Sequence, residues 1–412
     1  MKVLHITYSE KGGAGIAAKR LHSALHQNGV SSAYLSTNLT INFKDEVIID
    51  DFFKYTKPSL VKKIGLKILN LFPLSQRGRL SKKIKNYKKE KDFEIISSPF
   101  SHFKLQNHPL YKEADIINLH WVSGILDYPS FFKKCKKPIV WTFHDMNSFL
   151  GMFHYKNDYN KASLELHNFN VKIEKIQKKC IENIKKGVII TPSKWLLQEV
   201  NKSGFFENYI TETIFNSVDL DLFSIKKRVV LRTKYGLSNY EFVILFVAED
   251  VGNYRKGFDL LLESLRYIKS IKPTILTIGI DNPDSYKDVK VISLGKISDE
   301  KKMAEIYNVA DVFILPSRED NLPNVILESF ASGVPIISFN VGGIKEHVLN
   351  NKTGFISEEL NGISLSEKIV EFYNSKDNFN SLSIREYAKD NFSYHKQYKD
   401  YLKIYKELLK ND

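Results

Sequence analysis

The sequence is poor in cysteine and lacks both long apolar runs and an export signal. Its 412 residues include two cysteines, Cys135 and Cys180, too few for a disulfide framework or a thiolate metal cage, so redox chemistry is disfavoured. No stretch approaches the roughly 18 consecutive apolar residues that a membrane-spanning helix needs. The first residues show neither the apolar core nor the small-residue cleavage site of an export signal, and we therefore expect a cytoplasmic protein.

Acidic residues are almost missing from one segment, and the excess positive charge of the chain concentrates there. Residues 54–91 contain thirteen Lys or Arg and one acid, Glu90, so this segment holds +12 of the net charge of +14. Apolar residues recur at three- and four-residue steps over residues 61–72 while lysines fall on the other side, which predicts a basic amphipathic helix. Such a helix can lie on an anionic membrane surface or can cover a core edge as a solvated helix, and both interpretations stay open. Nucleic acid is disfavoured as a partner, because no recognition signature is present.

Short β-branched and aromatic runs alternate with helical patterns along most of the chain. This alternation predicts parallel sheets with crossover helices rather than an all-α or all-β architecture. One series of strands covers residues 2–215, and a second covers residues 242–339 after a polar stretch. We therefore predict an α/β fold with two doubly wound, Rossmann-like domains, in which the functional residues face a central cleft from the carboxyl ends of the strands.

The strongest candidate site follows the predicted strand that ends at residue 315. Asp320 and Glu328 are eight residues apart and bracket the start of a predicted short helix. Amides at a helix N-terminus favour phosphate, and carboxylates beside it can accept hydrogen bonds from sugar hydroxyls. A nucleotide sugar is a ligand that needs both. On spacing alone, however, the simpler interpretation is that Asp320 caps the helix and Glu328 lies on the surface.

The wider segment closely resembles the sugar-nucleotide signature of glycosyltransferase family four, the retaining enzymes of GT-B fold. The matching parts are Asp320, Glu328, a Gly-x-Pro turn and a Gly-Gly pair that begins at Gly342; the family has glutamate where this chain has Asp320. The resemblance implies that Glu328 holds the ribose hydroxyls and that Asp320 holds hydroxyls of the donor sugar. It also implies that the backbone amides of Asn324 and Val325 lie near the phosphate and the sugar.

A second matching piece contains Arg255 and Lys256, at the positions where the family holds the donor diphosphate. A guanidinium fork and an ammonium group can neutralise the charge that grows on a leaving phosphate. A basic helical turn without a ligand is the alternative. Many family members carry one more arginine directly after the preceding strand, where this chain has Ala-Glu-Asp at residues 248–250.

Two pieces of the first half complete the resemblance. Gly13 lies in a glycine-rich turn that the family places opposite the donor. The alternative is a tight turn that only allows close packing of the helix. The glycine spacing is not that of the dinucleotide fingerprint, so NAD is disfavoured as a cofactor. Residues 116–155 resemble a subset of surface-polysaccharide enzymes. His120 ends one predicted strand and His144 and Asp145 end the next, so all three are expected at one sheet edge. By resemblance, His144 lies beside the donor sugar, and His120, Asp145 and His154 lie on the acceptor side.

An Asp-x-Asp pattern, Asp219 and Asp221, is typical of metal sites in the other large glycosyltransferase fold. Here it falls in the connection that resembles the family hinge, and a hard cation would need further oxygen ligands around it. We interpret the pair as structural and expect no catalytic metal and no cofactor beyond a nucleotide diphosphate sugar as co-substrate.

The resemblance implies a retaining, hexosyltransferase-type glycosyltransferase that builds surface polysaccharide. Its expected catalytic residues are His144, Asp320, Arg255 and Lys256. The domains would be residues 1–217 on the acceptor side, residues 218–391 on the donor side and a last helix, 392–412, that returns to the first domain. The expected partners are a nucleotide sugar, a lipid-linked or free saccharide acceptor and the anionic inner face of the cell membrane.

Two other functions stay open. A nucleotide-sugar epimerase shares the fold and would act on the donor without an acceptor. A nonenzymatic protein that binds anions or nucleic acid through the basic segment would show steeply salt-dependent binding.

Overall fold

Two parallel β-sheets of six strands each form the framework of the protein. The computed structural model describes residues 1–37, 42–43, 46–47, 52–57, 75–89, 93–280 and 289–410. The predicted amphipathic helix over residues 61–72 therefore lies outside the described residues. The predicted α/β class with two doubly wound sheets is confirmed.

The chain divides into two compact units, each built around one of these sheets. The first unit comprises Met1–Pro192, Leu196–Ile214 and Tyr398–Asp412. The second unit comprises Ser193–Trp195 and Phe215–Gln397. The chain thus passes from the first unit to the second and returns near its last helix.

The first sheet is parallel throughout, and its central strands are fully buried. The strands of this unit are β1 (Lys2–Ile6), β2 (Ser31–Leu35), β3 (Asn42–Phe43), β4 (Glu46–Val47), β5 (Ile116–Leu119), β6 (Ile139–Thr142), β7 (Gly187–Thr191) and β8 (Ile210–Thr213). The sheet order is β2-β1-β5-β6-β7-β8, and β3 and β4 form a separate antiparallel pair. All residues of β5 and β6 are buried, as expected for parallel strands with helices on both faces. The strand order reverses between β1 and β5.

Helices connect these strands and cover the sheet. They are α1 (Gly12–Gln27), α2 (Phe52–Thr56), α3 (Gln76–Tyr87), α4 (Pro109–Glu113), α5 (Tyr128–Lys134), α6 (Lys156–Lys161), α7 (Leu164–Ile181) and α8 (Lys194–Ser203). A capping side chain fixes the start of α7, where the Ser163 hydroxyl accepts a hydrogen bond from the Leu166 amide.

The second sheet has the strand order of a dinucleotide-binding fold. Its strands are β9 (Val243–Asp250), β10 (Thr274–Ile280), β11 (Val291–Ser293), β12 (Val312–Leu315), β13 (Ile336–Phe339) and β14 (Gly354–Ser357). The order is β11-β10-β9-β12-β13-β14, so it reverses between β9 and β12. The remaining helices are α9 (Arg228–Lys234), α10 (Phe258–Leu265), α11 (Glu300–Val309), α12 (Asn324–Ala331), α13 (Gly362–Ser375), α14 (Ser381–Phe392) and α15 (Tyr394–Lys410). Ligands of such sheets bind beyond the carboxyl ends of the strands at the reversal point.

The last helix, α15, completes the core of the first unit. Tyr401, Ile404 and Tyr405 are buried in the same apolar cluster as Val3 of β1 and Val140 of β6. Their spacing of three and four residues puts them on one face of the helix. The core of the first unit therefore contains residues from both ends of the chain.

The basic helix α3 packs its apolar side inward. Ile84 is buried and the partly buried Leu80 and Tyr87 pack in the same cluster, while Arg79 and Lys82 are exposed. In the described part of the chain, no helix combines the length and the apolarity needed to cross a bilayer. The outward face of α3 thus offers positive charge rather than apolar surface.

Arg232 gives a test of the packing in the second unit. Its guanidinium is almost fully buried and donates to the Asp311 carboxylate at 2.8 Å and to the Val309 carbonyl at 3.0 Å. The change Arg232→Met leaves the carbonyls of Val309, Asn239 and Glu241 without this donor and removes one of the two cations that pair with Asp311. We therefore expect a loss of about 3–5 kcal/mol in the free energy of unfolding of this unit. Urea unfolding of the purified variant measures it.

The matched control is Arg228→Met, because Arg228 pairs with the other oxygen of Asp311 at 3.0 Å but is 40% exposed. We expect a loss below about 1 kcal/mol there. Equal losses in the two variants would contradict the importance given to burial.

Candidate functional site

The candidate site of the second unit lies beyond the carboxyl ends of β9 and β12, where the strand order reverses. Arg255 and Lys256 lie on a short 3₁₀ turn, Tyr254–Lys256. Asn253 caps the start of this turn, since its side-chain oxygen accepts a hydrogen bond from the Arg255 amide at 2.9 Å. Gly257 follows with φ of +72°, and a Cβ there would collide with the carbonyl oxygen of Pro316. Glycine thus lets the turn after β9 pass against the loop after β12.

Asp320 holds both cations of this turn. Its Oδ2 lies 2.5 Å from the Lys256 Nζ and 3.2 Å from the Arg255 Nη1, which also donates to the Glu319 carbonyl at 3.1 Å. Burial alone would raise the pKa of Asp320, which is 6% exposed, but the charges of Lys256 and Arg255 outweigh it and hold the pKa below its usual value. We call these three residues the cation–carboxylate cluster. It brings an ionised carboxylate and two cations to one edge of the sheet.

Steric crowding explains why both positions of the Gly-Gly pair are glycine, which the sequence pattern alone does not reveal. Gly342 has φ of +53°, and a Cβ there would collide with the carbonyl oxygen of Asp320. A Cβ on Gly343 would lie 2.7 Å from the carbonyl oxygen of Asn321. The backbone of the turn after β13 therefore packs directly against the loop that carries Asp320.

Glu328 is a buried residue of α12. It is 6% exposed, and its Oε2 accepts a hydrogen bond from the Tyr307 hydroxyl of α11 at 3.0 Å. The helix begins at Asn324 after Pro323, and no side chain caps its N-terminus. The simpler interpretation of the spacing is wrong on both points: Glu328 is not a surface residue, and Asp320 pairs with cations instead of capping α12.

Arg318 and Tyr307 are two residues of this edge that the sequence analysis missed. Arg318 stacks on the Tyr254 ring at 3.8 Å and binds both oxygens of Asp259, at 2.8 and 2.6 Å. Its position beside Glu319 and Asp320 in the motif is the one signal that could have suggested it.

In the first unit, three histidines lie in a row across the carboxyl ends of β1, β5 and β6. His5 Nδ1 lies 3.0 Å from His120 Nε2, and His120 Nδ1 lies 3.2 Å from His144 Nε2. Burial lowers the pKa of His5 and of His120 well below the usual value and that of His144 to about 4. This histidine row is neutral at physiological pH. His120 and His144 do share one edge, as expected from the strand ends.

Asp145 lies beside the histidine row and is fully engaged by its neighbours. Its Oδ2 accepts from Trp121 Nε1 and lies 2.6 Å from His154 Nδ1, while His154 Nε2 lies 2.7 Å from the Ser97 hydroxyl. Burial raises the pKa of Asp145, but the His154 contacts outweigh this, and the pKa lies below its usual value. The order matches a Ser-His-Asp triad, yet Ser97 is only 4% exposed, so its hydroxyl has no access to a substrate. His154 thus supports Asp145, and its acceptor role stays a prediction.

Two further candidates are Gly13 and the pair Asp219 and Asp221. A Cβ on Gly13 would meet nothing within 4 Å, whereas one on Gly15 would collide with the carbonyl of Ser9, so Gly15 is the glycine that the packing of α1 requires. Asp219 Oδ1 accepts from the amides of Asp221 and Leu222, both at 3.0 Å. Among the described residues, no group of three or more His, Cys, Asp or Glu could hold a metal ion.

Comparison with known proteins links the second unit to a family. Residues 241–375 match the family described as Glycosyl transferases group 1. The chain is 23% identical over 216 residues to the N-acetyl-alpha-D-glucosaminyl L-malate synthase of Bacillus anthracis, which is 49% of this chain and 55% of that protein. It is 30% identical over 185 residues to the capsular polysaccharide biosynthesis glycosyltransferase CapM of Staphylococcus aureus, 41% of this chain and 47% of CapM. The chain thus spans about half the length of these curated relatives.

A likeness of the whole fold comes from a solved structure. The Anabaena protein HepE in complex with UDP-glucose superposes with a TM-score of 0.63 at 15% identity, over 99% of this chain and 100% of that chain. At this identity the likeness concerns the fold.

The cation–carboxylate cluster gives a test of the electrostatics of the site. Asp320→Asn keeps the shape but removes the charge that Arg255 and Lys256 share, so we expect a loss of about 1–3 kcal/mol in unfolding free energy at neutral pH. Because the folded-state pKa of Asp320 is lowered, its stabilising effect is complete above about pH 5 and is lost as the pH falls through that pKa. Urea unfolding from neutral pH down to about pH 3 should therefore show the gap between wild type and variant closing.

Asp259→Asn is the control, since its carboxylate pairs with Arg318 but is 59% exposed. Its cost should stay below about 1 kcal/mol. A gap for Asp320→Asn that is independent of pH would contradict the assignment of an ionised carboxylate.

Proposed function

We propose that this chain, which belongs to the group 1 glycosyltransferases through residues 241–375 and has the GT-B fold, transfers a sugar from a nucleotide diphosphate sugar to an acceptor hydroxyl with retention at the anomeric carbon. The observation that carries the proposal is the cation–carboxylate cluster at the reversal point of the second sheet, beside the N-terminus of α12. Cations and helix amides suit a diphosphate, and carboxylates suit sugar hydroxyls.

The diphosphate of the donor would bind Arg255 and Lys256. Both are already aligned by Asp320, so they are held in place before the ligand arrives. As the glycosidic bond to phosphate breaks, charge grows on the leaving oxygen and the two cations stabilise it. With two side-chain cations at this position, we expect catalysis without a metal.

The sugar and ribose of the donor would bind the two carboxylates. Glu328 accepts hydrogen bonds from the ribose hydroxyls, with Tyr307 fixing the position of its carboxylate. Asp320 accepts from a hydroxyl of the transferred sugar; its side chain is one methylene shorter than the glutamate of the family. The UDP-glucose bound to the similar fold of HepE supports this class of donor.

The acceptor proton would leave with the phosphate. Asp145 is a poor general base, since both carboxylate oxygens accept hydrogen bonds and its pKa is below the usual value. The leaving phosphate oxygen lies next to the reacting carbon and can take the proton of the acceptor hydroxyl, so that no side-chain base is needed.

The acceptor we propose is a lipid-linked saccharide of surface polysaccharide biosynthesis. The name of CapM supports the pathway, and the exposed basic residues of α3, among them Arg79, Lys82 and Lys85, support peripheral attachment to an anionic membrane. Each basic residue near such a surface adds about 1 kcal/mol of attraction.

Glu328 tests the donor site directly. A panel of nucleoside diphosphate sugars should contain one that raises the thermal unfolding midpoint of the wild type, since a ligand that binds only the folded state stabilises it. Glu328→Ala should weaken the affinity for that donor by about 1–3 kcal/mol, because the ribose hydroxyls lose a charged acceptor. Titration calorimetry measures this difference.

Tyr307→Phe serves as the control, because it removes the hydroxyl that positions Glu328 but keeps the carboxylate. We expect it to cost less than about 1 kcal/mol of donor affinity. A folded Glu328→Ala protein with unchanged donor affinity, or a panel in which no nucleotide sugar stabilises the wild type, would refute the donor site.

Arg255 and Lys256 test the reaction. Arg255→Ala and Lys256→Ala should each lower kcat by about 10²–10³-fold, because they act on charge that develops during the reaction. Each also removes a cation that pairs with the buried Asp320, so we expect a loss of about 1–3 kcal/mol in unfolding free energy, which is smaller than the loss in transition-state stabilisation. Lys290→Ala, which removes a surface partner of Glu241, should leave kcat unchanged.

Two outcomes would favour the other functions. Turnover of the donor to its epimer without an acceptor would indicate an epimerase. Anion binding that falls steeply with salt and survives loss of Arg255 and Glu328 would indicate a nonenzymatic binding protein.

A further inference from the structure

Two aromatic side chains follow the two strands between which the order of the first sheet reverses. Tyr8 comes after the end of β1, and Trp121 comes after the end of β5. Tyr8 is 41% exposed, and Trp121 is partly exposed. Their ring centroids are 5.7 Å apart, and their planes are nearly perpendicular, at 80°. We call this pair the aromatic corner; it lies at the edge where sheets of this kind bind their ligands.

Backbone hydrogen bonds fix the main chain of both residues. The Tyr8 amide donates to the Trp121 carbonyl at 2.7 Å. The Tyr8 carbonyl accepts from the amide of Thr37 at 3.0 Å and from its hydroxyl at 2.6 Å. The position of the aromatic corner is therefore set by the sheet, and the direction of the rings depends on their side-chain contacts.

A buried polar network fixes the indole of Trp121. Its Nε1 donates to the Asp145 carboxylate at 2.6 Å, and the same carboxylate oxygen lies 2.6 Å from His154 Nδ1. His154 Nε2 in turn lies 2.7 Å from the hydroxyl of the buried Ser97. The His154 ring also packs against the indole, with centroids 5.5 Å apart. Because Asp145 is ionised, it is a stronger acceptor for the indole N–H than a neutral group would be.

The comparison with Trp141 shows what is unusual about Trp121. Trp141 is a core residue, 1% exposed, and packs against the rings of Tyr128, Phe132 and Phe143. Trp121 instead combines a partly exposed ring with a charged acceptor, although an ionised carboxylate is costly to bury. Such support is expected for a side chain whose orientation matters to a ligand.

The surroundings of the indole suit a saccharide. The face of an indole carries negative charge from its π-electrons, and the C–H hydrogens on the apolar face of a pyranose ring are slightly positive. Trp121, Ser123 and Asn147 line one pocket of the first unit. The Ser123 hydroxyl donates to Asn147 Oδ1 at 2.9 Å, and its oxygen can accept a hydrogen bond from a sugar hydroxyl.

The charge of Asp145 disfavours a nucleotide at the same ring. Nucleobases also stack on tryptophan, but their phosphates are repelled by an ionised carboxylate next to the indole. A neutral saccharide meets no such repulsion.

We propose that the aromatic corner is a saccharide-binding site of the first unit, in which the apolar face of a pyranose ring packs on Trp121 beside Tyr8. Asp145 and His154 are positioning residues that act through the indole. The saccharide site rests on the first unit alone, whereas its use for the acceptor sugar rests on the proposed function.

Indole signals of the ¹⁵N-labelled full chain report on the ring directly. The chain has three tryptophans, so it gives three indole N–H signals, and that of Trp121 is the one lost in Trp121→Leu. The probes are methyl β-D-glucopyranoside, methyl β-D-galactopyranoside and methyl α-D-mannopyranoside. We expect at least one of them to shift the Trp121 signal and to leave that of the buried Trp141 in place. A Trp121 signal that none of these glycosides shifts would overturn the proposal, also if uridine monophosphate shifts it.

Trp121→Leu and Tyr8→Leu test the two rings. Trp121→Leu should lower the affinity for the bound glycoside about 3–10-fold, and Tyr8→Leu should lower it at least about twofold. Saturation transfer from the protein to the glycoside measures both. Tyr240→Leu is the control, since it removes an aromatic ring that is 99% exposed, and should leave the affinity unchanged. A folded Trp121→Leu protein with wild-type affinity would overturn the proposal.

Asp145→Ala tests the positioning residues. In the wild type, the indole hydrogen of Trp121 should resonate downfield of the other two because its acceptor is charged; a signal without this shift would overturn the role of Asp145 without any variant. In Asp145→Ala we expect an upfield shift and a loss of affinity for the glycoside of about 2–5-fold. Glu199→Ala is the matched control, because the Asp145 and Glu199 side chains are 11% and 8% exposed and Glu199 pairs with Lys156 and Lys202. It should behave as the wild type.

Kinetics separate the saccharide site from the proposed function. With the bound glycoside as acceptor, Trp121→Leu should raise the KM for the glycoside about 3–10-fold and leave the affinity for the nucleotide sugar unchanged. If the glycoside binds at Trp121 but no nucleotide sugar binds the protein, the proposed function fails and the saccharide site stands. If Trp121→Leu lowers the affinity for the nucleotide sugar and leaves the KM for the glycoside unchanged, the assignment to the acceptor is refuted.

Discussion

A buried carboxylate stays ionised only when positive charge is close to it, and the candidate site of the second unit is arranged around this requirement. Asp320 has Arg255 and Lys256 as its counter-charges, and both come from the turn after β9. The turn after β9 packs closely against the loop after β12 because Gly257 has no Cβ to collide with the carbonyl oxygen of Pro316. The turn after β13 packs against the same loop because Gly342 has no Cβ to collide with the carbonyl oxygen of Asp320. The loops after three neighbouring strands of the sheet, β9, β12 and β13, thus come together at Asp320. The two cations of the loop after β9 offset the cost of burying its charge.

In the first unit, the side chains at the point where the strand order reverses are neutral rather than charged. His5 and His120 are buried with no carboxylate acting on them, and burial therefore keeps them neutral. The charge of Asp145 raises the pKa of the half-buried His144, but burial outweighs it and lowers that pKa to about 4. Neutral rings have a direction, because each has one donor and one acceptor nitrogen. The edge of the second unit is thus defined by charge, and the edge of the first unit by the orientation of hydrogen bonds.

Much of the fold could be predicted because parallel strands are buried on both faces and leave compact apolar runs. The strands β5 and β6 show this directly. The sequence patterns did not predict β14, since its four residues begin with glycine and end with serine. In the candidate site, the spacing of Asp320 and Glu328 and the family resemblance pointed to residues that lie where the strand order reverses. The ion pairs of Asp320 were not predictable, because they join residues 64 and 65 positions apart. The hydrogen bond from Tyr405 to Asn118 spans 287 positions. No local pattern marks a contact of that range.

The place of α15 in the first unit has a consequence for how the chain is made. A ribosome releases the residues of the first sheet well before it reaches Tyr401, Ile404 and Tyr405, which that sheet needs to complete its core. From Ile214 to Tyr398 the delay is roughly 10–40 s at ordinary rates of synthesis. During this time the nascent first unit exposes the apolar surface that α15 later covers, while the second unit emerges and can already fold. The half of the protein that is synthesised first is thus the half that finishes folding last.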